Sequence, residues 1–125
     1  MAGYRKTGRR GRVWHEECCA DRYVLSRLWP ARFDFAVVRE LPVMGRARLA
    51  RQLRQDMWRA LRDLRGFAPV VEVVRHGAGL RVTAGGAVAG RFDRGAAEEV
   101  VAGVMDCPMR RARWARWAAV RDVMA

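Results

Sequence analysis

Lysine is nearly absent from this chain: Lys6 is the only one, against 24 arginines. Acidic residues are also scarce, because 13 Asp and Glu face 25 Lys and Arg, which leaves a formal net charge of +12 at pH 7. The choice of arginine over lysine indicates a GC-rich genome and nothing about function. The shortage of acids is different, because such a genome encodes Asp and Glu just as easily. A cationic surplus of this size repels itself and favours anionic partners, either nucleic acid or an acidic protein surface.

Cysteines and long apolar runs are also few. The chain has three cysteines, two of them adjacent at Cys18 and Cys19, and an odd count makes a poor disulfide framework. No apolar run approaches the roughly 18 residues of a membrane span, and the start of the chain has no secretory signal pattern. We therefore expect a cytoplasmic protein without membrane association, whose 125 residues are sufficient for one hydrophobic core.

Motifs for catalysis and metal binding are missing. The lone lysine follows no glycine-rich phosphate loop. An H-x-x-C-C cluster at His15, Cys18 and Cys19 would need His76 and Cys107 to converge before it could complete a zinc site. A nuclease remains the enzymatic alternative, because carboxylates at strand ends could gather to hold a metal: Asp34, Glu40 and Glu72. We expect a non-enzymatic protein with no metal or cofactor.

The positive charge is concentrated in three blocks. Residues 1–12 carry +5 and no acid, 46–65 carry seven arginines against two acids, and 108–125 carry five against one. The two intervening stretches each hold four arginines against five acids. Scaffold and charge are thus segregated along the chain.

The first part of the chain gives weaker secondary-structure signals than the rest. Residues 1–12, rich in Gly and Arg, predict a flexible basic tail, which leaves 13–125 as a single domain. Spaced apolar residues over 13–29 favour a short helix ended by Pro30, and alternating Phe and Val at 33–38 predict a strand.

The second part alternates clear elements with glycine turns. A helix is predicted over 46–65, which contains no proline, glycine or β-branched residue and is followed by a capping Gly66. Turns, the second of them at Gly85-Gly86, separate three predicted strands at 68–75, 80–84 and 87–92. Asp93 is a candidate N-cap for a helix over 95–106, and Asp106 for a final helix that has Pro108 near its first turn.

The predicted order is a weak helix followed by β-α-β-β-(β)-α-α. It predicts an α+β fold, in which helices pack on a small, antiparallel-dominated sheet of three to four strands.

The helix at 46–65 has one apolar and one cationic side. At about 100° per residue, its leucines and Met57 form a core-facing stripe. Six arginines share the opposite side, with Trp58 at its centre: Arg48, Arg51, Arg54, Arg59, Arg62 and Arg65. Solvated helix faces normally mix acids with bases, so we interpret this side as an anion-binding face. A plain solvated face and an internal packing face remain alternatives.

Both ends of the chain add candidate contacts. The N-terminal block could carry charge across phosphates through Arg5, Lys6, Arg9, Arg10 and Arg12. In the C-terminal block, aromatic and cationic residues interleave at helical spacing and could stack on bases: Arg110, Arg113, Trp114 and Trp117. An equal alternative is that these tryptophans anchor the last helix to the core.

Together these patterns predict a small, non-enzymatic protein that binds DNA or RNA, mainly through phosphates. If the helix neutralised six phosphates on duplex DNA, the log–log dependence of affinity on salt would have a slope of about −5. The alternative is a protein-interaction module, an inhibitor or an assembly subunit, that docks on an acidic protein surface.

Overall fold

The computed structural model describes residues 3–9 and 12–119. These residues form six strands and three helices. The strands are β1 (Gly3–Arg9), β2 (Arg12–Cys18), β3 (Arg22–Ser26), β4 (Phe35–Pro42), β5 (Phe67–His76) and β6 (Gly79–Val88). The helices are α1 (Arg46–Ala60), α2 (Arg94–Asp106) and α3 (Pro108–Trp117). None of these helices is long and apolar enough to span a bilayer.

All six strands belong to one antiparallel sheet, in the order β1-β2-β3-β5-β6-β4. The segment between β3 and β4 passes β5 and β6, to which it is tied by bonds from Arg27 N to Pro69 O and from Asp34 N to Gly86 O. The helices cover one side of the sheet: α1 contacts β3 and β5, α2 contacts β4, and α3 contacts α1. We call the side without helices the open face.

The core lies between the helices and the sheet. Leu49, Leu53 and Met57 of α1 are fully buried, as the helical periodicity predicts. Burial of each such side chain contributes about 1.5–3 kcal/mol. Trp114 of α3 is also fully buried in this core.

The predicted α+β class, with an antiparallel sheet and packed helices, is confirmed, but the sheet has six strands instead of three or four. The tail predicted over 1–12 is a strand over Gly3–Arg9, and the helix predicted over 13–29 is wrong, because β2 and β3 occupy that stretch. The burial pattern explains the error. Tyr23 to Ser26 are buried in succession, so β3 does not alternate, and β2 directs the acidic Glu16 inward.

The turn predicted at Gly85-Gly86 is also wrong. Both glycines lie within β6, which runs without interruption to Val88, so no separate strand exists at 87–92. A Cβ added at Gly85 would lie 2.1 Å from Phe35 O. Glycine at this position permits the close approach of β4 to β6. A glycine inside a strand can therefore mark close contact between backbones and not a turn.

The other predicted elements are present with shifted ends. Helix α1 stops at Ala60, five residues short of the prediction, and its C-cap is Leu61. Asp93 caps α2 by accepting a hydrogen bond from Ala96 N, as predicted. The N-cap of α3 is Cys107, not Asp106, and Pro108 follows in the first turn.

Candidate nucleic-acid interface

Five of the six arginines on the cationic side of α1 and the turn after it are exposed to solvent. Among the residues that the structure describes, four of these five form no ion pair: Arg48, Arg59, Arg62 and Arg65. Arg59 lies in the last turn of α1. A cation there interacts favourably with the helix dipole, by about 0.3–1 kcal/mol, which helps the helix to tolerate neighbouring positive charges.

Arg51, the other exposed arginine, forms an ion pair with a buried carboxylate of the protein itself. Its Nη2 donates to Oε1 of Glu16 at 3.1 Å. The same buried carboxylate accepts hydrogen bonds from Arg5 at 2.7 and 3.0 Å and from the Tyr23 hydroxyl at 2.9 Å. Burial alone would raise the pKa of Glu16, but these three donors lower it overall. Arg51 and Arg5 are therefore committed to neutralising a buried charge.

Arg54 also has a partner within the protein, the Trp14 ring. Its guanidinium carbon lies 4.3 Å from the centre of the Trp14 ring, within the range of a cation–π interaction. Burial lowers the pKa of Arg54, and the positive charge of Arg51 lowers it further. Trp14 comes from β2, so the alternative of an internal packing face applies to the part of α1 around Arg54. Anion binding by the other arginines stays a prediction.

Trp58 is half exposed, with 50% of its surface accessible. Its ring stacks on Phe67 at the start of β5, with the ring centroids 6.4 Å apart and the planes 17° from parallel. Phe67 is buried and holds the indole at the surface. An aromatic ring thus stands beside the unpaired arginines at the C-terminal end of α1.

The pairing of β5 with β6 brings one further arginine, Arg91, to that end of the molecule. Gly66 O accepts a hydrogen bond from Ala89 N at 3.0 Å, which brings together Arg65, before β5, and the exposed Arg91, after β6. We call the surface formed by Trp58, Arg59, Arg62, Arg65 and Arg91 the basic end.

The β1–β2 hairpin closes on the same side of the molecule. Arg9 pairs with Arg12 at the closed end of the hairpin. His15 then pairs with Ser26, and Ser26 with Val70, near the start of β5. Two of the three basic blocks in the sequence are therefore adjacent in the fold, although the side chains of Arg9 and Arg12 and all of Arg10 lie outside the described structure.

The C-terminal block divides between core and surface. Trp114 donates from Nε1 to Asp56 Oδ2 at 2.7 Å, and Arg113 forms an ion pair with the same carboxylate. A fully buried indole cannot stack on a base, so Trp114 is not available as the contact that the sequence suggested. Trp117 is 60% exposed. It lines a shallow depression with Arg48, Arg51 and Gln52.

The last predicted contacts lie elsewhere. Arg110 sits near the start of α3, where the backbone amides of Arg110 and Met109, together with the Arg110 side chain, lower the pKa of Cys107. Lys6 is exposed on the open face of the sheet.

Sequence reasoning missed two groups of residues. Arg91 carried no signal, because its neighbours form no charged block. Tyr4 and Trp29 gave none either, since they come together only through the pairing of β1, β2 and β3, and the open face of the sheet was not foreseen. The sequence pattern gave no sign that the first two strands pair, so the residues that this pairing brings together could not be predicted.

The residues considered for catalysis are not gathered into a site. Within 3–9 and 12–119, no group of three or more His, Cys, Asp or Glu side chains could hold a metal ion. Arginines bind the three carboxylates at separate places: Arg32 contacts Asp34, Arg81 contacts Glu40 and Arg22 contacts Glu72. His15 and Cys18, three residues apart on a strand, point to opposite faces of the sheet.

A comparison of the chain with protein-family models, curated proteins and solved structures finds no match.

Proposed function

We propose that this protein binds nucleic acid through its basic end, with the arginines on phosphates and Trp58 against a sugar or base. The observation that carries the proposal is the group Arg59, Arg62, Arg65 and Arg91 around a half-exposed indole, with no ion pair among the described residues. Guanidinium groups bind phosphate oxygens through paired, charge-assisted hydrogen bonds. Contacts of this kind position a protein on the backbone without selecting a base sequence.

As part of this proposal, the protein is non-enzymatic and acts in the cytoplasm. The unpaired state of Cys18, Cys19 and Cys107 is compatible with a reducing compartment. DNA and RNA share the phosphate chemistry that the basic end recognises, so the proposal covers both.

A salt titration tests the proposal. Arg51 and Arg54 have internal partners, and Arg48 lies outside the basic end beside Trp117. The proposal therefore rests on four phosphate contacts instead of six, from Arg59, Arg62, Arg65 and Arg91. We expect a log–log slope of about −3.6 on duplex DNA, shallower than the −5 expected from the sequence. Fluorescence anisotropy with a labelled duplex measures it. A slope near zero, or no binding in about 50 mM salt, would contradict the proposal.

A matched pair of variants localises the binding surface. Arg62 and Arg75 are both exposed, and neither has an ion-pair partner among the described residues, but Arg75 lies near the other end of β5. Arg62→Gln should make the slope shallower by about 0.9, since one phosphate contact is lost. Arg75→Gln should leave the slope unchanged. Equal effects of the two substitutions would show that binding depends on net charge alone.

Exposed apolar side chains at the two ends of α3 support a second candidate, a protein-interaction module. Trp117 and Met109 are 60% and 82% exposed, and Trp117 lies beside Arg48. A large aromatic residue next to a cation is typical of the anchor residues of protein interfaces. Purification with and without nuclease separates the two candidates. Absorbance at 260 nm that nuclease removes supports nucleic acid, whereas a stoichiometric protein band that survives nuclease supports an acidic protein partner.

A further inference from the structure

Three rings form a cluster on the open face of the sheet. The ring centroids of Tyr4 and Trp29 are 4.7 Å apart, those of Tyr4 and His15 are 5.8 Å apart, and those of His15 and Trp29 are 6.1 Å apart. The Tyr4 hydroxyl lies 2.5 Å from His15 Nδ1. We call Tyr4, His15 and Trp29 the aromatic platform.

The platform is accessible to a ligand. Tyr4 is 49% exposed and Trp29 is 39% exposed, although large rings that serve only packing are usually buried. The hydroxyl contact with His15 and the ring contact with Trp29 hold Tyr4 in place, so the rings present a preformed surface. The loss of side-chain entropy on binding a flat ligand is correspondingly small.

The strand register explains how the platform forms. His15 pairs with Lys6, and Tyr4 lies two residues before Lys6 on the same face of β1. Ser26 pairs with His15, so the chain leaving β3 brings Trp29 over the first two strands. Arg5 and Glu16 alternate onto the helix side, and their ion pair leaves the open face to the rings.

The charge around the platform is positive. Lys6 is exposed beside His15. Burial lowers the pKa of His15, and the positive charges of Lys6 and Arg27 lower it further. The nearest carboxylate on this face, Glu17, is neutralised by Arg22 at 2.8 Å. An anionic ligand is therefore favoured over a cationic one.

We propose that the aromatic platform binds unpaired bases of single-stranded nucleic acid, with Lys6 on an adjacent phosphate. Every base has a flat π-face that can stack on tyrosine or tryptophan, so the site would tolerate many sequences. In a duplex those faces are already stacked on neighbouring bases. The platform therefore selects for single strands, which the phosphate contacts of the basic end do not.

This proposal concerns a second surface and goes beyond the basic end. The platform lies on the open face, whereas α1 packs on the opposite side of the sheet. Single-strand stacking can occur even if the basic end binds nothing, and the converse also holds.

The test compares Trp29→Ala with Leu28→Ala. Both residues are exposed neighbours of apolar character, but only Trp29 belongs to the platform. Loss of one stacking ring should weaken binding of a labelled oligothymidylate about 5- to 100-fold. Leu28→Ala should bind like the wild type, Trp29→Phe should retain most of the affinity, and no Trp29 variant should change binding to a duplex. Circular dichroism checks that each variant is folded.

The outcomes separate the two proposals. Equal losses for single strand and duplex in Trp29→Ala, or no loss for either, would overturn the stacking site. Arg62→Gln addresses the basic end alone, through duplex binding. NMR of the wild-type protein gives an answer without any variant: ring protons of Tyr4, His15 and Trp29 should shift upfield when oligothymidylate is added, and unchanged shifts at saturation would also overturn the stacking site.

Discussion

Glu16 occupies a position where an acidic side chain has to be compensated. It is 5% exposed and faces the helices, between Arg5 on β1, Tyr23 on β3 and Arg51 on α1. A buried carboxylate without partners would cost several kcal/mol or would remain protonated. Its pKa is lowered overall, so the charged form is the one that the fold stabilises.

The pH dependence of stability should reveal this carboxylate. Because the pKa of Glu16 is lower in the folded state than in the unfolded state, its contribution is complete above the unfolded pKa and disappears as the pH falls through the folded one. At pH 7, Glu16→Gln should be less stable than wild type by about 1–3 kcal/mol. The difference should shrink as the pH falls below the ordinary glutamate pKa of about 4.3. Urea unfolding at several pH values measures it.

Glu98→Gln is the matched control, since Glu98 pairs with Arg94 on the surface of α2. Surface pairs of this kind contribute about 0–1 kcal/mol. A difference for Glu16→Gln that stays constant down to pH 2 would contradict the role assigned to its charge.

Asp56 joins α1 to α3 through a buried contact. It accepts hydrogen bonds from Trp114 Nε1 and from Arg113. Asp56→Ala should cost about 2–4 kcal/mol of unfolding free energy, because the buried indole N–H loses its acceptor. Asp63→Ala, in the exposed turn after the same helix, should change stability by no more than about 0.5 kcal/mol. Similar values for the two substitutions would argue against the role of this contact.

At the scale of elements, β6 depends on glycine in mid-strand. Gly85→Ala should destabilise the protein by more than about 2 kcal/mol, because the new methyl group would overlap Phe35 O and Ala36 Cα on β4. Gly103→Ala serves as the control: it meets nothing within 4 Å on α2 and should stabilise by about 0.5–1 kcal/mol. Chemical denaturation of both variants checks the opposite signs.

The helices that the sequence predicted, α1 and α2, have one exposed and one buried side and show helical periodicity. β5 is largely buried on both faces and was predicted on other grounds, as a run of valines bounded by glycine. β2 and β3 were missed because their pattern is set by tertiary contacts: one contains a buried acid, and the other is covered on both faces. Neither strand shows the alternation of polar and apolar residues, or the uninterrupted apolar run, by which a strand is recognised in a sequence.

The same error limited the prediction of the site. The sequence placed six arginines on one side of a helix, but Arg62 and Arg65 lie beyond its end at Ala60. The partners of Arg51 and Arg54 come from β2, which was expected to be a helix. Arg48 and Arg59 are exposed on the helix, where the helical pattern predicts it, whereas Arg62 and Arg65 are exposed in the turn that follows.

At the scale of the molecule, the order of the sheet predicts a gradient of stability. β5 and β6 are central and covered by helices, whereas β1 is an edge strand that contacts β2. Amide hydrogens of Val71, Val73 and Val82 should exchange only through global unfolding. Those of β1 should exchange faster, by local opening of the hairpin. Exchange followed by NMR measures this, and equal protection across the sheet would contradict it.

Lys6 is the only lysine of the chain, and it stands exposed on β1 next to the three rings. An amine-reactive dye therefore has one side-chain target. The α-amino group, which is ordinarily less basic than a lysine side chain, also reacts, so peptide mapping measures how much of the dye is on Lys6. A fluorophore attached there would sit at the edge of the ring cluster and report on stacking by the rings, without an engineered cysteine, while the Lys6 contact with phosphate would be lost. Arginine-rich surfaces elsewhere would stay unmodified and keep their charge.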